Sequence, residues 1–148
     1  MSSPAVMLVE DSADDEELAV WTLRRGGVTR IAVARDGSAA LAMLHGSPSD
    51  GPSIAPDLVF LDLRLPKIDG IEVLERIRGD ERTRHLRVVV LTSSNDPRDV
   101  DACARLGAIA MIPKPLDLET LETLLRRSSE PLTARSSQVR DELSRNSE

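Results

Sequence analysis

Short apolar runs alternate with longer amphipathic segments along most of this chain. Five of the runs are rich in Val, Ile and Leu and show little alternation with polar residues, which is typical of strands covered on both faces. They are Ala5–Val9, Arg30–Ala34, Asp57–Leu61, Leu86–Leu91 and Ala108–Ile112. The repeated strand–helix order predicts an α/β domain built on a parallel sheet with right-handed crossovers.

The segments between the strands carry helical spacing and helix start signals. Helix starts are predicted at Ser12, Asp36, Asp69, Asp96 and Asp117. Pro97 suits the first position of the fourth helix, and the pair Gly26-Gly27 predicts that the first helix ends near Arg25. Every crossover is therefore long enough to contain a helix.

Length and composition indicate one folded domain followed by a tail. The chain has 148 residues, of which 41% are hydrophobic, and this is too apolar for a disordered protein. The folded domain is predicted to span residues 1–130. The serine-rich segment 131–148 is predicted to be a C-terminal tail, either disordered or forming a short helix.

Charge and cysteine usage exclude several classes of protein. The formal net charge is −6 and no Lys/Arg block is present, which disfavours binding to nucleic acid. The apolar runs are about five residues long, far short of the roughly 20 that span a bilayer, so no membrane association is expected. The single cysteine, Cys103, excludes an internal disulfide and favours a cytoplasmic location.

Polar side chains follow four of the predicted strands. Glu10 and Asp11 follow the first, Asp62 the third, Thr92 the fourth and Lys114 the fifth. Ligands of an open α/β sheet bind beyond the carboxyl ends of its strands, so these groups are predicted to converge on one site.

Three neighbouring carboxylates repel one another, so either one of them is protonated or a cation lies among them. At an effective dielectric near 20, two such charges about 4 Å apart repel each other by about 4 kcal/mol. Mg²⁺ fits this set well, because it binds one or two carboxylates and keeps several waters. A lysine can neutralise a phosphoryl oxygen, and a carboxylate is already ionised near pH 7. The set therefore indicates phosphoryl transfer onto an acidic side chain.

Five separated motifs make the chain resemble the receiver domain of response regulators, the phosphoacceptor half of two-component systems. The motifs are Val9-Glu10-Asp11, the stretch from Asp62 to Gly70, Leu91-Thr92-Ser93, Gly107-Ala108 and Lys114-Pro115. The resemblance covers about residues 5–127. It implies a flavodoxin-like, doubly wound fold with five parallel strands in order 2-1-3-4-5, and a cis bond between Lys114 and Pro115.

The resemblance also implies a role for each site residue. Asp62 would accept the phosphoryl group from a histidine kinase, while Thr92 and Lys114 would contact phosphoryl oxygens. Mg²⁺ would be held by Asp11, Asp62 and the backbone carbonyl of Arg64, with Glu10 acting largely through water. The segment Thr92-Ser93-Ser94-Asn95-Asp96-Pro97 and the absence of an output domain resemble the single-domain regulators that serve phytochrome-type histidine kinases.

Output would then occur through protein contacts. The candidates are the kinase, a downstream phosphotransfer protein and a homodimer formed by the fourth helix, fifth strand and fifth helix. Apolar surface for such a dimer is expected from Val100, Leu106, Met111 and Leu121. Met111 stands where the family usually has an aromatic residue, so ring rotation is not expected to carry the signal.

Three other functions compete with this interpretation. A small Mg²⁺-dependent aspartyl-phosphate phosphohydrolase would need a second acid two residues after Asp62, where the chain has Arg64. A flavin carrier would need a phosphate-binding loop after the first strand and aromatic clamps, but residues 10–17 are acidic and tyrosine is absent. A scaffold lacking phosphorylation is disfavoured by the complete set of acids, Thr and Lys.

Other polar and aromatic residues are interpreted structurally. Asp14 and Asp15 fall in a first helical turn, where the helix dipole favours acids. Trp21 on the same helix is expected to be core or partner surface. Arg64 is predicted to shield the acyl phosphate from water.

Overall fold

Five strands and five helices alternate along the chain in a computed structural model that describes residues 4–46 and 54–127. The strands are β1 (Ala5–Val9), β2 (Arg30–Ala34), β3 (Leu58–Asp62), β4 (Val88–Thr92) and β5 (Ala110–Pro113). The helices are α1 (Ala13–Arg25), α2 (Gly37–His45), α3 (Gly70–Gly79), α4 (Pro97–Arg105) and α5 (Leu118–Arg127). The predicted tail, 131–148, lies outside the described residues.

The five strands form one parallel sheet in the order β2-β1-β3-β4-β5. Helix α1 packs against α5, whereas α2 packs against α3 and α3 against α4. The sheet is thus covered by two groups of helices, and the predicted doubly wound α/β fold is confirmed. The expected cis bond between Lys114 and Pro115 is also present.

Side-chain caps explain where the helices begin. The side chains of Ser12, Asp36, Asp69 and Asp96 each accept a hydrogen bond from a backbone N–H in the first turn of α1, α2, α3 and α4. Asp117 does the same for Thr120 at the start of α5. All five helix starts predicted from the sequence are therefore confirmed.

The predicted bounds of β1 and β2 are confirmed, whereas the ends of the other three strands differ from the prediction by one or two residues. The third strand includes Asp62 rather than Asp57, because Asp62 pairs in register with Leu91 of β4. β4 begins at Val88, not at Leu86, and β5 begins at Ala110, not at Ala108. Apolar runs extend beyond the hydrogen-bonded ladder, since residues just outside a strand also contribute to the core.

The core lies on both faces of the central strands. All five side chains of β3 and of β4 are buried, whereas the edge strand β2 is mostly half-buried. The α1–α5 contact is close: a Cβ atom added at Gly26 would lie 2.6 Å from Leu121 Cδ2. In the same contact the Thr22 hydroxyl donates to the Leu116 carbonyl oxygen at 3.2 Å.

One arginine connects the C-terminal end of α3 to two loops. Arg78 donates hydrogen bonds to the carbonyl oxygens of Arg84, Leu86, Leu106 and Gly107 at 2.6–3.1 Å. Burial lowers the pKa of this guanidinium. The loops before β4 and β5 thereby acquire a common anchor at the edge of the sheet opposite the site described below.

Among residues 4–46 and 54–127, none of the helices has the length and apolar composition needed to cross a membrane.

Candidate phosphoryl-transfer site

Four strands direct polar side chains to the same edge of the sheet. Glu10 follows β1, Asp62 ends β3, Thr92 ends β4 and Lys114 follows β5. The parallel pairing of β1 with β3, β3 with β4 and β4 with β5 aligns these strand ends. Asp62 and Thr92 are 4% and 2% exposed, so these two polar groups are largely removed from solvent.

Three carboxylates form a candidate metal centre. Glu10, Asp11 and Asp62 each offer an oxygen atom, and these atoms lie within 4.8 Å of one another. Glu10 and Asp62 are buried, whereas Asp11 is exposed. All three donors are hard oxygen ligands, which suits Mg²⁺ or a similar divalent cation. The residues present therefore fit such an ion.

Lys114 compensates the negative charge of this cluster. Its Nζ atom lies 2.7 Å from Glu10 Oε2, 2.9 Å from Asp62 Oδ2 and 2.9 Å from Asp15 Oδ2. Burial works against the charge of Lys114, but the hydrogen bonds to the three carboxylates outweigh it and raise the pKa of Lys114 above its ordinary value. The ammonium therefore stays charged throughout the physiological range.

The carboxyl group of Glu10 is buried, and its surroundings favour its protonated form. Burial raises the pKa of Glu10, while the hydrogen bonds from Lys114 and from the Ser12 backbone N–H act in the opposite direction. The nearby charge of Asp62 raises it further. Burial and the neighbouring charge thus disfavour the ionised form of Glu10, and a divalent cation beside it would offset that penalty.

The loop after Asp62 shapes the backbone around this carboxylate. The Arg64 N–H donates to Asp62 Oδ1 at 3.1 Å. Gly70 at the start of α3 donates its N–H to the Leu63 carbonyl, and a Cβ atom at Gly70 would overlap the Asp62 carbonyl oxygen. Only glycine therefore lets α3 begin this close to the end of β3.

Thr92 is connected to α4 through a short series of hydrogen bonds. Thr92 Oγ1 accepts from the Ser94 N–H at 2.9 Å, and the Ser94 hydroxyl donates to Asp99 Oδ2 at 2.7 Å. The Asp96 N–H donates back to Ser94 Oγ at 3.3 Å. Hydrogen bonds through Ser94 therefore connect the Thr92 side chain to Asp99 in the first turn of α4.

A groove of about 270 Å³ lies between this loop and β5, and its lining includes Ser93, Asn95, Val100 and Met111. Met111 is only 5% exposed and Leu121 is fully buried, so the prediction that they supply apolar dimer surface is wrong. Met111 forms part of the groove lining, and Leu121 on α5 packs against Gly26 at the end of α1. Val100 and Leu106 remain half-buried.

Sequence reasoning missed one member of the site. Asp15 contacts Lys114, although its position in the first turn of α1 gave it a purely structural interpretation. Nothing in the local sequence distinguishes Asp15 from its neighbour Asp14. Only the direction of the helix relative to β5 decides which of the two faces the lysine.

Comparison with known proteins places the chain in a well-populated family. Residues 6–126 match the family model described as response regulator receiver domain. A probable methanogenesis regulatory protein FilR2 from Methanothrix harundinacea is 40% identical over 84% of this chain and 81% of its own length. Response regulator Rcp1 from Synechocystis is 37% identical over 78% of this chain and 80% of its own length.

Solved structures agree with these matches. The bacteriophytochrome response regulator AtBRR superposes with a TM-score of 0.73 at 36% identity, covering 85% of this chain and 92% of its own. A Mn²⁺-bound form of Rcp1 superposes with a TM-score of 0.68 at 35% identity, covering 83% of this chain and 89% of its own.

Proposed function

Because the chain belongs to the response regulator receiver domain family, we propose that its Asp62 is the residue that accepts a phosphoryl group. The protein is a phosphorelay response regulator, related to phytochrome response regulators. The observation that supports Asp62 as acceptor is its position. One carboxylate oxygen faces Lys114, the other accepts the Arg64 N–H, and two further acids lie beside it.

The chemistry that follows from this position is a direct transfer. A bond forms between an Asp62 carboxylate oxygen and phosphorus as the bond between phosphorus and the phosphohistidine nitrogen of the kinase breaks, and the histidine imidazole leaves. The product is an acyl phosphate, a mixed anhydride. No general base is needed, since carboxylates are ionised at neutral pH.

A divalent cation is part of this proposal. Receiver domains bind divalent metals, and the Glu10, Asp11 and Asp62 cluster fits one. We propose Mg²⁺ as the physiological ion, held by Asp11, Asp62 and the Arg64 carbonyl oxygen, with Glu10 acting largely through water. When bound, the ion supplies positive charge that screens the acceptor from the incoming phosphoryl group.

Lys114 and Thr92 are proposed to contact the transferred group. The Lys114 ammonium already lies 2.9 Å from Asp62 Oδ2, so it can donate to an oxygen of a phosphoryl group attached there. Thr92 Oγ1 uses a lone pair to accept the Ser94 N–H, which leaves its hydroxyl hydrogen available for a second oxygen. Both contacts stabilise charge that shifts onto these oxygens during transfer.

The partner is a histidine kinase, and we propose that it is of the phytochrome type, because relatives described as phytochrome response regulators match most of this chain. A downstream phosphotransfer protein and a homodimer through α4, β5 and α5 are further proposals. The lone buried thiol of Cys103 supports a cytoplasmic location. We propose that residues 1–130 form the signalling unit and that 131–148 are an appended tail.

We further propose that the protein catalyses at most its own phosphorylation and dephosphorylation. Receiver domains are signalling proteins. The competing phosphohydrolase would need an acid two residues after Asp62 to protonate a leaving group, and Arg64 occupies that position. The Arg64 side chain is exposed, and it carries a fixed positive charge.

Intact mass spectrometry tests the acceptor. Incubation with acetyl phosphate and Mg²⁺ is expected to add one phosphoryl group to the wild type and none to Asp62→Asn. Asp101→Asn, an exposed acid of α4 paired with Arg105, is the matched control and is expected to behave as the wild type. Equal phosphorylation of Asp62→Asn would show that another residue is the acceptor.

A further inference from the structure

Asp15 is the member of the site that the proposed chemistry does not use. It lies in the first turn of α1, where its own N–H donates to the Ser12 side chain at 3.3 Å. Its Oδ2 atom lies 2.9 Å from Lys114 Nζ, although the two residues are 99 positions apart in the chain. The contact therefore depends on the tertiary fold and does not follow from helix capping alone.

The three hydrogens of the Lys114 ammonium match its three carboxylate partners. Two of these partners, Glu10 and Asp62, belong to the candidate metal centre. The third, Asp15, lies outside that centre, and its side chain is 42% exposed. Asp15 is therefore the partner that Lys114 can keep when Glu10 and Asp62 interact with a cation instead.

A divalent cation and Lys114 compete for the same carboxylates. A cation bound to Asp62 draws on oxygens that now accept hydrogen bonds from Lys114, and a charge of +2 close to the ammonium repels it. Without another anchor, Lys114 would either resist the cation or move away from Asp62. A phosphoryl group attached to Asp62 would then lose a positively charged partner.

We propose that Asp15 is a positioning residue that holds Lys114 beside Asp62 while a divalent cation and a phosphoryl group occupy the site. Asp15 makes room for the cation by offering Lys114 a carboxylate that the cation does not use. It also keeps the ammonium within reach of a phosphoryl oxygen. This inference rests on the function proposed above, with Asp62 as acceptor.

Asp15→Asn tests the inference, because it keeps the shape of the side chain and removes its charge. Lys114 is then expected to bind Glu10 and Asp62 more firmly, so the affinity for Mg²⁺ should fall by about 3- to 10-fold in titration calorimetry. The matched control is Asp14→Asn, which removes the same charge from the same helical turn. This control is expected to change the affinity by less than about 2-fold.

A second readout follows Lys114 itself. In ¹⁵N NMR of the side-chain ammonium, the wild type with Mg²⁺ is expected to keep a slowly exchanging Lys114 signal, and Asp15→Asn is expected to lose it. Asp15→Glu retains the charge and should restore both the signal and most of the Mg²⁺ affinity. A purely structural role for Asp15 would leave the signal unchanged.

The outcomes separate this inference from the proposed function. If the wild type is phosphorylated on Asp62 but Asp15→Asn and Asp14→Asn have the same Mg²⁺ affinity and the same Lys114 signal, Asp15 is only a helix-terminal acid and the inference is overturned. If the wild type takes up no phosphoryl group on Asp62, the proposed function itself fails. A selective loss in Asp15→Asn, rescued by Asp15→Glu, supports the inference.

Discussion

The Nζ atom of Lys114 lies 2.9 Å from Oδ2 of Asp62, although the two residues are 52 positions apart in the chain. The pair joins the end of β3 to the loop after β5 across β4, so it can form only when the sheet is assembled in its observed order. Both side chains are largely removed from water. Each charge therefore depends on the other for compensation.

Replacing Lys114 with Met is expected to destabilise the protein when metal is absent. The substitution leaves Glu10 and Asp62 buried without the Lys114 ammonium, which should lower the free energy of unfolding by about 2–3 kcal/mol. This is less than the cost of breaking a fully buried pair, because the Lys114 side chain is partly exposed. Urea denaturation in EDTA measures this loss. Lys67→Met is the control, since Lys67 is exposed and is expected to change stability by less than about 0.5 kcal/mol.

The same variant is expected to respond more strongly to Mg²⁺. Without the competing ammonium, the carboxylates bind a cation more tightly, so Mg²⁺ should stabilise Lys114→Met by more than it stabilises the wild type. If Mg²⁺ raised the free energy of unfolding of both proteins equally, this would contradict the competition between Lys114 and the metal.

Arg64→Asn is expected to shorten the lifetime of the acyl phosphate on Asp62. Arg64 is exposed two residues after Asp62, the proposed acceptor, and its guanidinium is suited to cover phosphoryl oxygens and exclude water. Loss of one such contact should speed hydrolysis by roughly 3- to 10-fold. The measurement is the decay of phosphorylated protein after the donor is removed. Arg76→Asn, a substitution of an exposed arginine on α3, should leave the decay unchanged. An equal or longer lifetime in Arg64→Asn would rule out shielding.

Local sequence rules predicted the framework of this protein well. Helix caps such as Ser12 and Asp69 act within three residues of themselves, so their effect can be predicted from short motifs. The convergence of Glu10, Asp62 and Lys114 also follows from sequence, because parallel strands bring their carboxyl ends to one edge.

Contacts that depend on side-chain direction between distant elements could not be predicted in the same way. Asp15 and Asp14 are equivalent in the sequence, and only the packing of α1 turns Asp15 toward Lys114. Leu121 lies on an amphipathic stripe, but the pattern does not show whether that stripe faces the core or a partner. The four carbonyl acceptors of Arg78 lie in two loops whose distance from α3 has no local signature.

Arg78→Ala is expected to cost about 2–4 kcal/mol of unfolding free energy, because carbonyl oxygens at the loops before β4 and β5 lose a charged donor. Arg78→Lys should recover little of this, since an ammonium cannot reproduce the planar fork of a guanidinium. Chemical denaturation provides the comparison. Arg76→Ala, which loses only an exposed ion pair with Glu72, sets the baseline at about 0.5 kcal/mol or less. Equal losses for Arg78→Ala and Arg76→Ala would show that the anchor is not important for stability.

Cys103 is expected to resist alkylation in the folded protein. Burial raises the pKa of its thiol from 9.0 to about 12, so the folded state favours the protonated form. The unfolded thiol ionises near pH 9, whereas the folded one does so only near pH 12. The free energy of unfolding is therefore unaffected by this group below about pH 9 and falls as the pH rises toward 12. Iodoacetamide at pH 8 should therefore label native protein at least about 100-fold more slowly than protein unfolded in urea. Comparable rates would place the thiol at the surface.

The exposed side chains of Leu18 and Trp21 on α1 are proposed to contact the kinase during transfer. They are 54% and 60% exposed, and the Arg25 guanidinium lies 4.9 Å from the centre of the Trp21 ring. Leu18 also lines a cavity with Glu10, Asp15 and Lys114, so this apolar surface borders the candidate site.

Trp21→Ala should therefore lower the rate of phosphotransfer from a phosphorylated histidine kinase by at least about 5-fold, as expected for an aromatic side chain that becomes buried where the two proteins meet. Labelling by acetyl phosphate should not change, because a small donor needs no protein surface. Arg98→Ala on α4 is the control and should affect neither reaction, since Arg98 is exposed and pairs only with Asp96 among the described residues. An equal loss with both donors would indicate a structural defect, and an unchanged kinase reaction would show that the kinase binds elsewhere.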